Sequence, residues 1–235
     1  MKQHYYDGRY WNETQMNALI KRISTNPTVR TRKIVEMVEG TSILDIGCGI
    51  GNITALVADK VSPNGRVIGI DFLQDNIDLA NEWFKRQNVE FRVGTVENLK
   101  FNPASFDCVL FLEVIEHVEN PAVVLKSIHR LLKPNGCLIV STPNGASFDT
   151  FFQNLKSFKK TIRSIETETH GTGTERDHIY MWALPQLYRL LNRCGFTYVK
   201  HEFAGAGLPF TNIDRLLGTN FSDFSALYMA VSGWE

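Results

Sequence analysis

Ile43-Leu44-Asp45-Ile46-Gly47-Cys48-Gly49-Ile50-Gly51-Asn52 is the stretch that decides the fold. A short, mainly apolar run enters a loop with glycine at 47, 49 and 51, and a helix-like stretch follows from Asn52 to about Val61. Glycine at such places lets the backbone turn tightly and approach a ligand where any Cβ would clash. Strand, glycine turn and helix in that order make a nucleotide-like cradle.

On either side of this unit the same pattern repeats. RVIGID (66–71), VEFRV (89–93), CVLFLEV (108–114) and GCLIVST (136–142) are apolar runs, and helix candidates lie at 74–86 and 121–132. Turn signals stand at Pro63-Asn64-Gly65 and Pro134-Asn135-Gly136. Continuous apolar strands alternating with helices predict a doubly wound α/β core with a mostly parallel sheet buried on both faces. We expect one domain over 1–235: a helical N-terminal cover at 1–40, the core at 41–142, an inserted lid at 143–183, and a C-terminal helix and strands at 184–235. Within the last part, Leu184–Cys194 has helical period, Gly195 stops it, and FTYVKHEF and ALYMAVSG alternate like two strands.

Composition agrees with a folded domain of this size. Of 235 residues 43% are hydrophobic and 21% charged, which excludes a disordered or collagen-like chain. Lys+Arg 25 against Asp+Glu 25 gives zero formal charge, so no global field attracts a polyanion and nucleic acid is not the expected partner. Cys48, Cys108, Cys137 and Cys194 include no CxxC pair and read as reduced core residues. No apolar run reaches 18 residues and the first residues show no leader pattern, so a cytoplasmic location is expected. Lys156, Lys159, Lys160 and Arg163 read as a solvated helix face, with contact to an anionic substrate or a membrane surface as the alternative. The oligomeric state is left open.

A second acid, Asp71, ends RVIGID, 26 residues after Asp45. From the neighbouring strand end its carboxylate can grip the two hydroxyls of a ribose. A dinucleotide fold prefers G-x-G-x-x-G, whose third glycine packs beside a pyrophosphate; here that place is Asn52. S-adenosylmethionine has no pyrophosphate and needs an acid near its cationic methionine end, which Asp45 supplies.

LDIGCGIGNIT, VIGID, FDCVLFLEVIEHVENP and LLKPNGCLIVSTPN resemble the motifs of class I S-adenosylmethionine-dependent methyltransferases over about residues 40–142, and more loosely through HIYMWALPQLYRLLNRCGF. The resemblance implies a Rossmann-like, seven-stranded sheet of order 3-2-1-4-5-7-6 with the last strand antiparallel. It also implies that Gly47, Gly49 and Gly51 line the methionine and ribose, that Asp71 binds the diol, and that Asp45 helps hold the amino group. Cys48, Asn52, Phe72 and Glu113 complete the expected cofactor set. Many relatives carry an acid and a small residue after the third strand, at the adenine amino group. This chain reads Gly94-Thr95-Val96-Glu97, leaving the Thr95 hydroxyl or the Val96 N–H for that contact.

Glu113, Glu116 and His117 stand at i, i+3 and i+4 in EVIEH, and would share one face if the chain were helical there. With His178 from the polar insertion they form a candidate set for Mg²⁺ or Mn²⁺, since hard oxygen donors plus imidazole suit such ions. EVIEHV resembles the ubiquinone-biosynthesis O-methyltransferases, and EVIEH with the downstream DHIYMW resembles small-RNA 2′-O-methyltransferases, where the equivalent Glu, Glu, His and His bind the ion. EVxEH is also common in metal-free relatives, in which Glu116 caps a helix and His117 packs beside the cofactor. Glu113, His117 and His178 are the candidate catalytic residues. The function implied is methyl transfer from S-adenosylmethionine to an oxygen of a small or medium-sized acceptor. Metal-dependent 2′-O-methylation of RNA ends and a catalytically silent cofactor-binding scaffold are the alternatives.

Overall fold

The computed structural model describes residues 3–6, 9–145, 179–203 and 225–232. It corrects the expected helical start: β1 (Gln3–Tyr6) and β2 (Arg9–Asn12) pair antiparallel, Gln3 opposite Asn12 and Tyr6 opposite Arg9. Only Asp7 and Gly8 separate the strands, and Asp-Gly between aromatic-rich runs is the strongest short-range hairpin signal. The helices follow. In α1 (Glu13–Thr25), Asn12 and Gln15 bond reciprocally across the first turn at 2.9 and 3.0 Å. Helix α2 (Val29–Met37) starts at Thr28, whose hydroxyl accepts the Thr31 N–H.

From there the elements run β3 (Ser42–Ile46), α3 (Asn52–Val61), β4 (Arg66–Asp71), α4 (Gln74–Trp83), β5 (Val89–Val93), β6 (Phe106–Leu112), α5 (Pro121–Leu131), β7 (Leu132–Pro143), α6 (Leu184–Arg193), β8 (Phe196–Phe203) and β9 (Ser225–Ser232). The sheet order is β5-β4-β3-β6-β7-β9-β8, with β9 antiparallel to both its neighbours. Several boundaries differ from expectation, and β6 runs from Phe106 to Leu112 instead of from 108 to 114. Helix α4 stops at Trp83, before Arg86. Strand β7 starts at Leu132, and the expected turn lies inside its span, with Asn135 at φ +60° and a register shift against β6.

Strand β6 shows why its run is apolar throughout. Val109 and Phe111 face a cluster with Leu125, Ile128 and Leu187 of α5 and α6. Cys108, Leu110 and Leu112 face another, with Ile34 of α2 and Val57 of α3. Both faces are covered from Cys108 to Leu112, residues that are all apolar, while Asp107 near the start of the strand accepts bonds from the N–H groups of Thr41 and Ser42 and from the Lys133 ammonium. The four cysteines are free and buried. Among the described residues no helix is long and apolar enough to cross a membrane.

Most of the expected lid, including His170, His178 and the basic group at 156–163, lies outside the described residues. Its ends are placed. Asn144 bridges Trp182, the Gly145 N–H donates to the Trp182 carbonyl at 2.9 Å, and the N–H groups of Ile179 and Tyr180 donate to the Glu116 carbonyl.

Candidate active site

The glycine loop joins β3 to α3 at the carboxyl end of the sheet, where a doubly wound fold binds ligands. Gly47, Gly49 and Gly51 all have positive φ, +73°, +53° and +84°, but they are glycine for different reasons. A Cβ at Gly47 would collide with Val114, and one at Gly51 would lie 2.6 Å from the Phe91 ring. At Gly49 a Cβ would meet nothing within 4 Å. The first and third glycines therefore serve packing inside the protein, and the middle one opens outward.

Asp71 ends β4 and is buried, 6% exposed. Its Oδ2 accepts the Gly49 N–H at 2.9 Å, and its Oδ1 accepts the Leu73 N–H at 3.0 Å and Asn76 Nδ2 at 3.1 Å. The carboxylate thus locks the open glycine to the next strand end, and Phe72 beside it is 69% exposed. Asp45 lies beneath the loop, almost fully buried, and accepts a 2.6 Å bond from the Thr54 hydroxyl. Burial pushes its carboxyl up to about 7, the Thr54 bond opposes this, and the nearby Asp71 charge adds to it. Burial, followed by the Asp45 and Asp71 charges, pushes the Cys48 thiol upward, so it is a packed, neutral group. Asn52 opens α3. The Thr95 N–H donates to Asn98 Oδ1 at 2.8 Å, and Val96 is buried in the core.

The chain does not turn helical after β6. Glu113 takes φ +53°, and its N–H donates to the Ser141 carbonyl at 2.9 Å. The three EVIEH residues therefore do not share one helical face: Glu113 is half-buried, Glu116 buried and His117 exposed. Glu113 Oε1 accepts Arg30 Nη2 at 3.0 Å and the Ser141 hydroxyl at 2.7 Å. Glu116 points inward, 1% exposed, with Oε2 accepting the Thr142 hydroxyl at 3.0 Å. Burial, with the Glu113 charge second, pushes its carboxyl up to about 8, so it carries a proton at neutral pH. His117 is exposed.

Of the expected metal set, Glu113, Glu116 and His117 lie among the described residues. Among the described residues no three His, Cys, Asp or Glu side chains are grouped to hold an ion. Arg30 pairs with Oε1 of Glu113, and Glu116 is buried with Oε2 bonded to Thr142. The fourth member of the set, His178, lies outside the described residues. Arg30, Ser141 and Thr142 are the site residues that sequence reading missed. Nothing in the local pattern marks Arg30, which sits 83 residues from its partner.

A family model described as a methyltransferase domain matches residues 37–191. A demethylmenaquinone methyltransferase of Lactococcus lactis is 30% identical over 190 residues, 76% of this chain and 74% of that protein. Two solved structures share the fold. An S-adenosylmethionine-dependent methyltransferase from Thermotoga maritima has TM-score 0.65 at 18% identity, covering 94% of this chain and 95% of that one. The Haemonchus contortus phosphoethanolamine N-methyltransferase 2, solved with phosphomonomethylethanolamine and S-adenosylhomocysteine, has TM-score 0.64 at 19% identity, covering 95% of this chain and 59% of that one.

Proposed function

This chain belongs to the methyltransferase-domain family and is an S-adenosylmethionine-dependent enzyme, and from that premise we propose that it methylates an oxygen of a small or medium-sized acceptor by direct transfer. The single observation that carries the oxygen assignment is Glu113, an ion-paired carboxylate at the carboxyl end of β6 whose bonds to the described residues fall on Oε1. A carboxylate there can accept a hydrogen bond from a hydroxyl and take its proton. The similarity to a demethylmenaquinone methyltransferase supports a small-molecule acceptor. The four free cysteines suit a reducing compartment, the cytoplasm.

The cofactor supplies a methyl group already activated on a sulfonium sulfur. The open position at Gly49 would admit the cofactor close to the backbone, and Asp71 would offer its remaining lone pairs to the ribose diol. The exposed Phe72 would pack on the adenine, with Thr95 and Val96 as the residues to meet its edge. The fit rests on that open Gly49 position beside a buried carboxylate. Glu113 would hold the acceptor hydroxyl and take its proton; the oxygen–carbon bond would form as the sulfur–methyl bond breaks, with S-adenosylhomocysteine as the leaving group.

Asp45 serves the cofactor's ammonium group through its charge, which makes binding pH-dependent. Below about pH 7 the group is protonated and offers no charge, so binding must release a proton. The expected result is that S-adenosylhomocysteine affinity rises by up to about tenfold per pH unit as pH approaches 7, and levels off above it. The folded state keeps a proton on Asp45 that the unfolded chain gives up near its ordinary value of 3.8, so the cofactor-free protein loses stability between pH 3.8 and about 7. Calorimetry across pH 5.5–8 checks this; a flat profile in the wild type would refute Asp45's role.

To test the attacked atom, the enzyme is given a short-chain demethylmenaquinol or catechol with methyl-deuterated cofactor. Product mass and NMR then locate the label. Label on oxygen supports the proposal, and label on ring carbon overturns the oxygen assignment. The metal-dependent reading on RNA ends lacks its ligand set among the described residues.

A further inference from the structure

Arg30, Glu113 and Ser141 form a closed triangle. Arg30 Nη2 donates to Glu113 Oε1 at 3.0 Å and to Ser141 Oγ at 2.7 Å, and Ser141 Oγ donates to the same Oε1 at 2.7 Å. The two hydrogens on Nη2 and the single hydroxyl proton of Ser141 satisfy all three bonds. Arg30 is largely buried, its side chain 16% exposed, whereas that of Glu113 is 31% exposed. The arginine therefore lies behind the carboxylate. Glu113 itself has a left-handed backbone, which a non-glycine residue keeps only where its surroundings hold it.

The helix that carries Arg30 is tied at its far end to the last turn of α3. Lys60 of α3 donates from Nζ to the carbonyls of Val35, Glu36 and Val38 at the end of α2, at 2.8, 2.9 and 2.7 Å. Helix α3 begins at the glycine loop. Ser141 belongs to β7, one strand beyond β6 and two beyond the β3 loop.

We infer that Arg30 is a positioning residue: with Ser141 it clamps one oxygen of Glu113 so that the other meets the acceptor hydroxyl. This rests on the reading of Glu113 given above. Arg30 touches neither acceptor nor cofactor, and acts through the orientation and charge of Glu113.

The test compares Arg30→Met, Arg30→Lys, Glu113→Gln and the Arg30→Met/Glu113→Gln double variant, with short-chain demethylmenaquinol and catechol as acceptors. Loss of the clamp in Arg30→Met is expected to lower kcat by up to about a hundredfold, the scale of a misplaced catalytic group. Acceptor KM, S-adenosylhomocysteine Kd by calorimetry and Tm should stay close to wild type. Arg30→Lys keeps the charge and should recover part of the loss, which keeps the test alive if Arg30→Met folds poorly. The double variant should be no slower than Glu113→Gln alone. Wild-type turnover in Glu113→Gln would overturn the reading of Glu113 itself. An impaired Glu113→Gln beside an unimpaired Arg30→Met and Arg30→Lys, or fully additive losses, would overturn this inference alone. So would a tenfold weaker cofactor Kd with kcat retained, which would make Arg30 a cofactor ligand.

Discussion

Asp71→Ala is expected to weaken binding of S-adenosylmethionine and S-adenosylhomocysteine by about 1.5 to 3 kcal/mol, the range for hydrogen bonds to a charged group. Two losses combine. The ribose diol loses its acceptor, and the Gly49 N–H, now held to Oδ2 at 2.9 Å, is released together with the Leu73 N–H and the Asn76 amide. The open face of Gly49 would then no longer be fixed relative to β4. Asp71→Asn separates the two effects, because it retains one carbonyl acceptor for the loop while removing the charge. Titration calorimetry measures both variants, with NAD as the control ligand, which the loop should not bind since Asn52 stands where the third dinucleotide glycine would be. Wild-type affinity in Asp71→Ala would refute the ribose assignment.

Glu113→Gln should reduce kcat by about a hundredfold or more, the usual contribution of a proton-accepting side chain. The amide keeps the size of the carboxylate, so Ser141 can still bond it, but the partner for Arg30's charge and the basic oxygen are both lost. Cofactor affinity should be little changed, because Asp71 and the glycine loop lie toward β4 while Glu113 follows β6. In the wild type, EDTA should leave turnover unaltered if the Arg30 guanidinium, which pairs with Glu113, is what balances its charge. Activity that vanished in EDTA and returned with Mg²⁺ or Mn²⁺ would reinstate the ligand set of Glu113, Glu116, His117 and His178. Single-turnover kinetics with saturating cofactor isolate the chemical step from binding.

The parts of this protein that were legible before the structure share one property, which is that a local pattern suffices to specify them. Helix α3 begins and ends where the sequence predicts, at Asn52 and Val61, because glycine precedes it and Pro63 follows. Strands β3, β4 and β5 occupy the expected apolar runs, and Asp71 falls at a strand end beside the glycine loop because parallel register places Ile46 opposite Ile70. The hairpin of β1 and β2 was equally local, since Asp7-Gly8 marks it, but the helical period of the residues after it governed the reading of the whole segment.

By itself the sequence determined the alternation of strands and helices, the cofactor cradle and its ribose acid, because strands buried on two faces must be apolar and a close backbone approach must be glycine. Tertiary structure alone decided which glycine opens outward, how EVIEH turns, and what neutralises Glu113. Those outcomes depend on the spacing of segments brought together by packing: Val114 against Gly47, Ser141 beside Glu113, and an arginine 83 residues away on a helix anchored by Lys60. Residue spacing at i, i+3 and i+4 implies convergence only while the backbone is helical, and the left-handed turn at Glu113 removes that condition.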